Sequence, residues 1–442
     1  MIPPVSGNDG FSCRPMRICI VGAGATGLAA AWELGKKGHD VVLLESSDRV
    51  GGLAASFTIG GEPIEEFYHH VFTGDGAILA LVAELGMNDA LKWYEPSNAF
   101  RTPEKLYPFT TPLDLLRFSA VSLRSRIALG LLVLKARRIR DWASLEEITA
   151  REWILRTAGN EVWEKVWGPL VQSKFDDHAD RICAAWLWKK LRLRGASRSD
   201  GMKSELLGYM DGSFAALFRE LGERLAREGA ELRLNTPVRG ILSAGGGVRV
   251  LTDSGEETYD RCIFTAAPEQ FLRVAEGFPC EYARMLEQSP YKANVCAVLR
   301  LNRSLSPYYW TSVADRKAPF VAVVEHTNLV GAERYGCHIV YLSRYLDAGK
   351  ELYSADDASV RECFLSALER LYPSFDRSSV LGCDVFRSRY AQPVVPLGRS
   401  RTLPPVRTPL PGVLLASMAR IYPEDRGLNY AVAMGKEVAG LL

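Results

Sequence analysis

Two rhythms of apolar residues alternate along this chain, short continuous runs and helical stripes, and each switch marks an element. Residues 18–21 form a continuous apolar run that ends in glycines, and residues 41–44 form a second one that ends at Glu45. Between them lies a small-residue stretch, 28–34, with Gly38 as its stop. Continuous apolar runs bounded by glycine read as buried strands, and the stretch between them as a connecting helix. Residues 57–67 read as a hairpin turning at Gly60-Gly61. Helical periodicity dominates 76–200, broken at Pro96, Pro103, Pro108 and Pro112. An amphipathic helix is predicted over 206–229, then strands at 231–234, 248–252 and 261–265, with the glycines 245–247 joining two of them. Strands at 293–301, 319–326 and 337–345 predict a second sheet. A late buried strand, 412–416, precedes a final helix from Asn429.

The junction after the first strand carries chemistry. In Gly22-Ala23-Gly24-Ala25-Thr26-Gly27, Gly22 permits a tight turn, Gly24 lets backbone approach a pyrophosphate, and Gly27 lets helix and strand pack closely. The helix N-terminus offers free N–H groups and a positive dipole end. Glu45, followed by Ser46, stands where an acid accepts the hydroxyls of an adenosine ribose. Soon after comes Asp48-Arg49-Val50-Gly51-Gly52, whose paired glycines again bring backbone N–H groups close to a ligand.

With this second motif the chain resembles, over residues 16–442, the flavoprotein superfamily that holds amine oxidases, protoporphyrinogen oxidases, phytoene desaturases and UDP-galactopyranose mutases. The resemblance implies FAD rather than NAD, with Arg49, Gly51 and Gly52 at its pyrophosphate. Many members carry Arg or Lys next, where this chain has Leu53. It further implies that Val238, after Thr236-Pro237, binds adenine through its backbone. Ala267, in Ala266-Ala267-Pro268, matches the small-residue crossover near the flavin. Arg426, Gly427, Leu428 and Asn429 occupy the place of the last FAD motif. The expected fold is α/β: a discontinuous Rossmann-like FAD-binding domain (16–75, 205–285 and 395–442) with an inserted mixed α+β substrate domain (76–204 and 286–394) carrying a helical lid.

Composition narrows the partners. The 442 residues, 47% hydrophobic, suit two or three domains, and a formal charge of +2 gives no reason to expect nucleic acid. Nine cysteines without a Cys-x-x-Cys pair argue against a zinc site or disulfide framework and suit a reducing cytoplasm. Residues 1–15 read as a disordered leader, with Met16 an alternative start. The most apolar run, 127–134, falls far short of the ~20 residues of a transmembrane helix. Around it, residues 115–140 hold seven basic residues and no acid. Amphipathic helices forming a substrate lid are the favoured reading; peripheral contact with a membrane is the other. The tryptophans at 142, 153, 163, 167, 186 and 188 are expected in core or cavity walls.

Three residues are candidates for catalysis. His70, in His70-Val71-Phe72, resembles the flavin-facing histidine of the galactopyranose mutases; the alternative is that His69 and His70 simply pack. Lys174 either enters the substrate cavity or is an ordinary surface lysine, the second being favoured because lysine is seldom buried. Arg426 either faces the cofactor or substrate or pairs with Glu424 or Asp425. Glu325, His326, Asn328, Tyr341 and Arg344 are candidates to orient a polar substrate, if they face the cavity. No metal is expected. The resemblance implies an FAD-dependent oxidoreductase that dehydrogenates a C–N or C–C bond and passes electrons to oxygen or a quinone. Two alternatives are a galactopyranose-mutase-like enzyme without net redox and a non-catalytic binder of prenylated proteins.

Overall fold

The structure is a computed structural model that describes residues 14–196 and 205–442. The leader expected over 1–15 lies mostly outside the described residues. Along the chain, β1 (Arg17–Val21), α1 (Ala25–Lys36) and β2 (Asp40–Leu44) come first. The helices α2 (Gly76–Glu84), α3 (Leu123–Arg138), α4 (Gly168–Phe175) and α5 (Ala184–Ala196) follow. Next are β3 (Glu231–Arg233), β4 (Arg261–Phe264), β5 (Tyr291–Leu301) and β6 (His338–Leu346). Last come α6 (Asp357–Leu371), β7 (Val380–Pro393), β8 (Val413–Leu415) and α7 (Leu428–Ala439).

Five of these strands form one parallel sheet in the order β3-β2-β1-β4-β8. In register, Ile20 lies opposite Leu43 and Ile263, and Ile263 opposite Leu414. Both faces are covered, which is why these strands read as unbroken apolar runs. On one face α1, α7 and the helix Ser213–Arg227 bury Leu28, Leu34, Val432, Phe214, Leu217 and Leu221. On the other, an antiparallel meander (Val238–Ala244, Gly247–Thr252, Gly255–Tyr259) covers Cys19, Val21 and Val42 with Ile241, Val248 and Val250. The helices α1 and α7 meet at backbone distance: a Cβ at Gly435 would lie 2.4 Å from the Thr26 carbonyl oxygen.

A seven-stranded sheet forms the second layer. Its order is β7-β5-β6, then Ala322–Glu325, Trp310–Val313, Asn98–Arg101 and Leu106–Pro108. Side chains alternate between its faces. Val295, Leu299, Val340 and Leu342 pack under α6 against Val360, Phe364 and Leu368. Cys296, Val298, Ile339 and Tyr341 face the hairpin of Ser56–Ile59 and Glu62–Glu65. The helices between 112 and 196 make a separate apolar cluster in which Trp153, Trp163, Trp186 and Trp188 are buried.

Beyond the unanticipated strands Val238–Ala244, Gly255–Tyr259 and Trp310–Val313, the structure departs from the sequence reading in three places. Strands Leu91–Tyr94, Asn98–Arg101 and Leu106–Pro108 interrupt the helical region; each is too short to show a period, the first two are held by distant strands, and the third pairs with the second. The helix expected over 206–229 opens as a strand, Leu207–Met210, and starts only at Ser213, after Gly212 turns the chain with φ +78°. The longest strand, β7, was not anticipated, because most of its residues are half-buried on both faces and show no alternation.

The helix contact gives a stability test. Gly435→Val is expected to cost about 2–3 kcal/mol by overpacking against Thr26. Gly222→Ala, in the helix Ser213–Arg227 with open space around it, should be neutral or stabilising by up to about 1 kcal/mol. Denaturant melts of both variants check the contrast.

Candidate active site

Each glycine of the first turn has a separate physical reason. Gly22 has φ +103°, and a Cβ there would meet Thr265 Oγ1 at 2.5 Å; at Gly27 a Cβ would meet the Gly22 oxygen at 1.9 Å. Both are demanded by the fold itself. Gly24 is different: its backbone is ordinary extended (φ −75°) and its nearest neighbour would be Gly52 Cα at 3.8 Å. Nothing within the protein requires glycine there. The Arg49–Gly52 loop closes on this turn, with Gly51 N–H donating to the Ala23 oxygen at 2.9 Å. Two backbones without side chains thus face each other.

Helix caps bear on the same place. The N-termini Thr111, Ser122, Thr149 and Asp356 accept N–H groups of their own helices. By contrast α1 and α7 start at Gly24 and Gly427, with no side-chain cap and no acid in the first turn. Uncapped helix starts of this kind suit an anion. Glu45 ends β2 beside this turn and accepts Ala23 N–H (2.8 Å) on one oxygen and Ser47 N–H (2.9 Å) on the other. The Ser46 hydroxyl also donates to Glu45. Asn235 and Thr236 donate to the carbonyls of Ser47 and Glu45, which brings Val238 alongside. Thr265 Oγ1 donates to the Val21 oxygen at 2.8 Å, and Ala267 follows at the start of Pro268–Val274. Leu53 sits in the short turn Gly52–Ala54. Arg49 turns to Asp48 and Glu66. Asn429 accepts Ala77 N–H at 2.8 Å and so caps α2, while Leu428 enters the core.

A buried charge cluster lies where the chain enters α7. The Asp425 carboxylate is 3.0 Å from Lys174 Nζ and 2.6 Å from Lys190 Nζ, and accepts from Gln392 Nε2 (3.1 Å) and Trp186 Nε1 (3.3 Å). Arg426 donates to Gln392 Oε1 at 3.1 Å and to the Tyr345 hydroxyl. Lys174 is therefore no ordinary surface lysine; its side chain is 14% exposed and lies over the rings of Trp186 (5.3 Å) and Tyr345 (5.5 Å). Burial pushes its ammonium below the usual range, opposed by Asp425. Against burial, Lys174, Lys190 and Arg426 hold Asp425 well below the usual carboxylate range. One carboxylate facing three cations leaves an excess of positive charge. Arg426 makes no capping pair with Glu424, which binds Lys189.

The loop before Val71 joins this cluster. Burial pushes His69 down to about 4, with Arg426 adding to the effect, and its Nδ1–H donates to the Phe67 oxygen at 2.6 Å. Tyr68 stands edge-on to Trp310, with ring centres 5.0 Å apart. His70 Nδ1 meets the Tyr309 hydroxyl at 3.1 Å, its ring edge-on to Phe72 and Trp310. Sequence reasoning missed Tyr68, Tyr345, Gln392, Lys190 and Asp425 as members; the period-two pattern of β6, which puts Tyr341, Ser343 and Tyr345 on one face, was the available signal.

Most candidates from the second sheet lie elsewhere. Glu325 is fully buried and its carboxylate accepts Leu305 N–H (2.9 Å), Ser306 N–H (2.9 Å) and the Ser304 hydroxyl (2.7 Å). Asn328 Nδ2 donates to the Ser306 and Tyr308 oxygens of the same loop. Both acts are structural. Arg344 has the parity of Leu342 and Leu346, on the α6 side away from Tyr345. Tyr341 donates to the Glu65 carbonyl at 2.7 Å. His326 is 2% exposed, 3.3 Å from the Tyr335 hydroxyl, and burial pushes it down to about 3.

A family model described as flavin containing amine oxidoreductase matches residues 25–442. The chain belongs to that family. A Mycobacterium tuberculosis protein named as flavin-containing monoamine oxidase AofH is 26% identical over 290 residues, 62% of this chain and 62% of that protein. The 15-cis-phytoene desaturase of Solanum lycopersicum is 25% identical over 434 residues, covering 91% of this chain and 73% of the desaturase. A solved structure assigned as a protoporphyrinogen oxidase from Exiguobacterium sp. 255-15 superposes with a TM-score of 0.77 at 20% identity, over 96% of this chain and 98% of that one. Putrescine oxidase bound to putrescine gives 0.73 at 18%, with the same coverage. At such identities the likeness establishes the fold. The family's cofactor is FAD, and the bare cradle at Gly24 and Gly52, the uncapped α1 and α7, and Glu45 suit a dinucleotide.

His326 gives a pH test. Its proton affinity is ordinary in the unfolded chain, about 6.5, and depressed to about 3 in the fold. Its contribution to stability is therefore complete above pH 6.5 and is lost progressively as pH falls towards 3. Lowering the pH from 7 to 5 should cost about 2 kcal/mol through this residue. His326→Gln should flatten the melting-temperature profile over that interval; an unchanged slope would remove His326 from the account.

Proposed function

We propose that this protein is an FAD-dependent oxidoreductase that dehydrogenates a C–N or C–C bond of a small organic substrate and passes electrons to an external acceptor such as oxygen or a quinone. The observation that carries this reading is the single dinucleotide cradle continuing into the buried cluster of Lys174, Lys190, Asp425 and Arg426. The relatives' names, a monoamine oxidase and a phytoene desaturase, span both bond types. Only one complete Gly-x-Gly-x-x-Gly fingerprint occurs in the sequence, which supports a diffusible electron acceptor over a dedicated NAD(P)H fold.

When bound, FAD supplies the two-electron acceptor. The chain's part is to hold and tune it. N–H groups at Gly24, Ala25 and Gly52 would receive the diphosphate, and Glu45 the ribose, while the Gly51 N–H, bonded to the Ala23 oxygen, holds the two loops together. The N-terminus of α7 at Gly427, together with the cationic excess around Asp425, favours negative charge nearby. The rings of Tyr68, Tyr309 and Trp310 pack on one another, and Tyr345 accepts from Arg426, so apolar surface adjoins the charged groups and a bound flavin there would be partly shielded from water. His70, paired with the Tyr309 hydroxyl, is placed to hold or move a proton. The mutase-like alternative draws on the same His70-Val71-Phe72 segment and differs in needing reduced flavin.

The visible spectrum of purified protein discriminates these readings. A two-banded flavin spectrum that anaerobic NADPH leaves unbleached is expected; rapid bleaching would favour a reductase or mutase, and a colourless protein would sink the proposal. Gly24→Val should fold normally, since nothing crowds that position, yet purify without FAD. His70→Ala should keep FAD and lose about tenfold or more in kcat. Unchanged kinetics would leave His70 a packing residue.

A further inference from the structure

The helix α3 carries two apolar stripes on opposite sides. Ser125, Leu129, Leu132 and Ala136 are buried, and Trp188 Nε1 of α5 donates to the Ala136 oxygen at 2.8 Å. Leu123, Ile127, Leu131 and Leu134 are 48–59% exposed. At about 100° per residue the exposed four fall within an arc of about 80°, centred almost opposite the buried four. A lid closing over the core would bury its second stripe inward; this one points away. Leu113 and Leu116 of the short helix Pro112–Arg117 are exposed as well. Arg126 staples that helix to α3 by donating to the Leu116 and Val121 oxygens. These six are most of the ten large apolar side chains exposed among the described residues, so they form a concentration rather than scatter.

Charge selects the occupant. Arg124 and Lys135 flank the stripe on one side, Arg137 on the other, and Arg138 and Arg140 close its end. None of these five pairs with an acid among the described residues. A second copy seated on this face by two-fold symmetry would set like charges against each other. No described helix is long and apolar enough to cross a membrane. We propose that α3 and the helix before it seat the protein on an anionic lipid bilayer, lying in the headgroup plane with leucines inserted and arginines at the phosphates.

Co-sedimentation of the purified flavoprotein with vesicles tests this independently of any redox activity. The protein should bind phosphatidylcholine vesicles containing phosphatidylglycerol and bind neutral phosphatidylcholine far more weakly, with the difference shrinking at high salt. Ile127→Ser/Leu131→Ser should weaken binding about tenfold or more. Each of Arg137→Gln and Arg138→Gln should weaken it about fivefold. These positions are exposed, so an unchanged flavin spectrum and melting temperature certify the fold. Absence of wild-type binding at low salt, or binding unaffected by the double serine variant, would overturn the proposal. So would a dimer in sedimentation velocity that the serine variant dissociates, since the face would then belong to a second copy.

Discussion

Backbone meeting backbone around α1 is the constraint on which the rest depends. This helix is pressed against β1 at Gly27 and against α7 at Gly435, in both places too closely for a Cβ. Such contact fixes where the helix begins. It sets the uncapped N–H groups of α1 at the carboxyl end of the central strand of the parallel sheet, beside the paired glycines of the second loop. Side chains at Gly27 or Gly435 would break this contact, because a Cβ at either would meet backbone oxygen at 1.9 or 2.4 Å. The arrangement costs conformational entropy at several glycines and is offset by the apolar surface buried on both faces of the sheet.

How much of this was legible in the sequence follows from the range of the interactions. The turn from β1 into α1 and on to Glu45 is assembled from neighbours in the chain, so its periodicity and glycine spacing announced it. Residues in the charge cluster are not neighbours. Lys174 meets Asp425 across 251 positions and Arg426 meets Tyr345 across 81. Lysine on a helix ordinarily faces water, and nothing local to Lys174 signals an acid waiting in a distant loop. Glu325 and Asn328 misled for the converse reason. Polar residues within an apolar strand suggested a cavity, whereas their partners are the backbone groups of a nearby loop. The basic run near residue 130 was legible as an amphipathic helix, but which of its apolar faces is covered required the packing of α5.

The cluster at Asp425 also explains how the two layers communicate. Lys174 comes from α4, Lys190 and Trp186 from α5, Gln392 from β7 and Tyr345 from β6, and all converge on the loop that starts α7. One carboxylate thus ties the helical layer and the large sheet to the loop that starts α7. Removing it would leave buried cations facing each other, which is costlier than losing a single pair.

Chain order gives the parallel sheet a further consequence. Val21 waits for Thr265, 244 positions away, and Lys37 reaches the Ala439 carbonyl across 402. Contacts of such high order are slow to form. A nascent chain must carry β1 and β2 with open edges until the strands starting at Glu231 and Arg261 are added, and open edges invite wrong pairing. The turn at Gly24 is built early but acquires its neighbouring helix α7 last, so the backbone contact between α1 and α7 closes only in a chain that has been synthesised through to that helix.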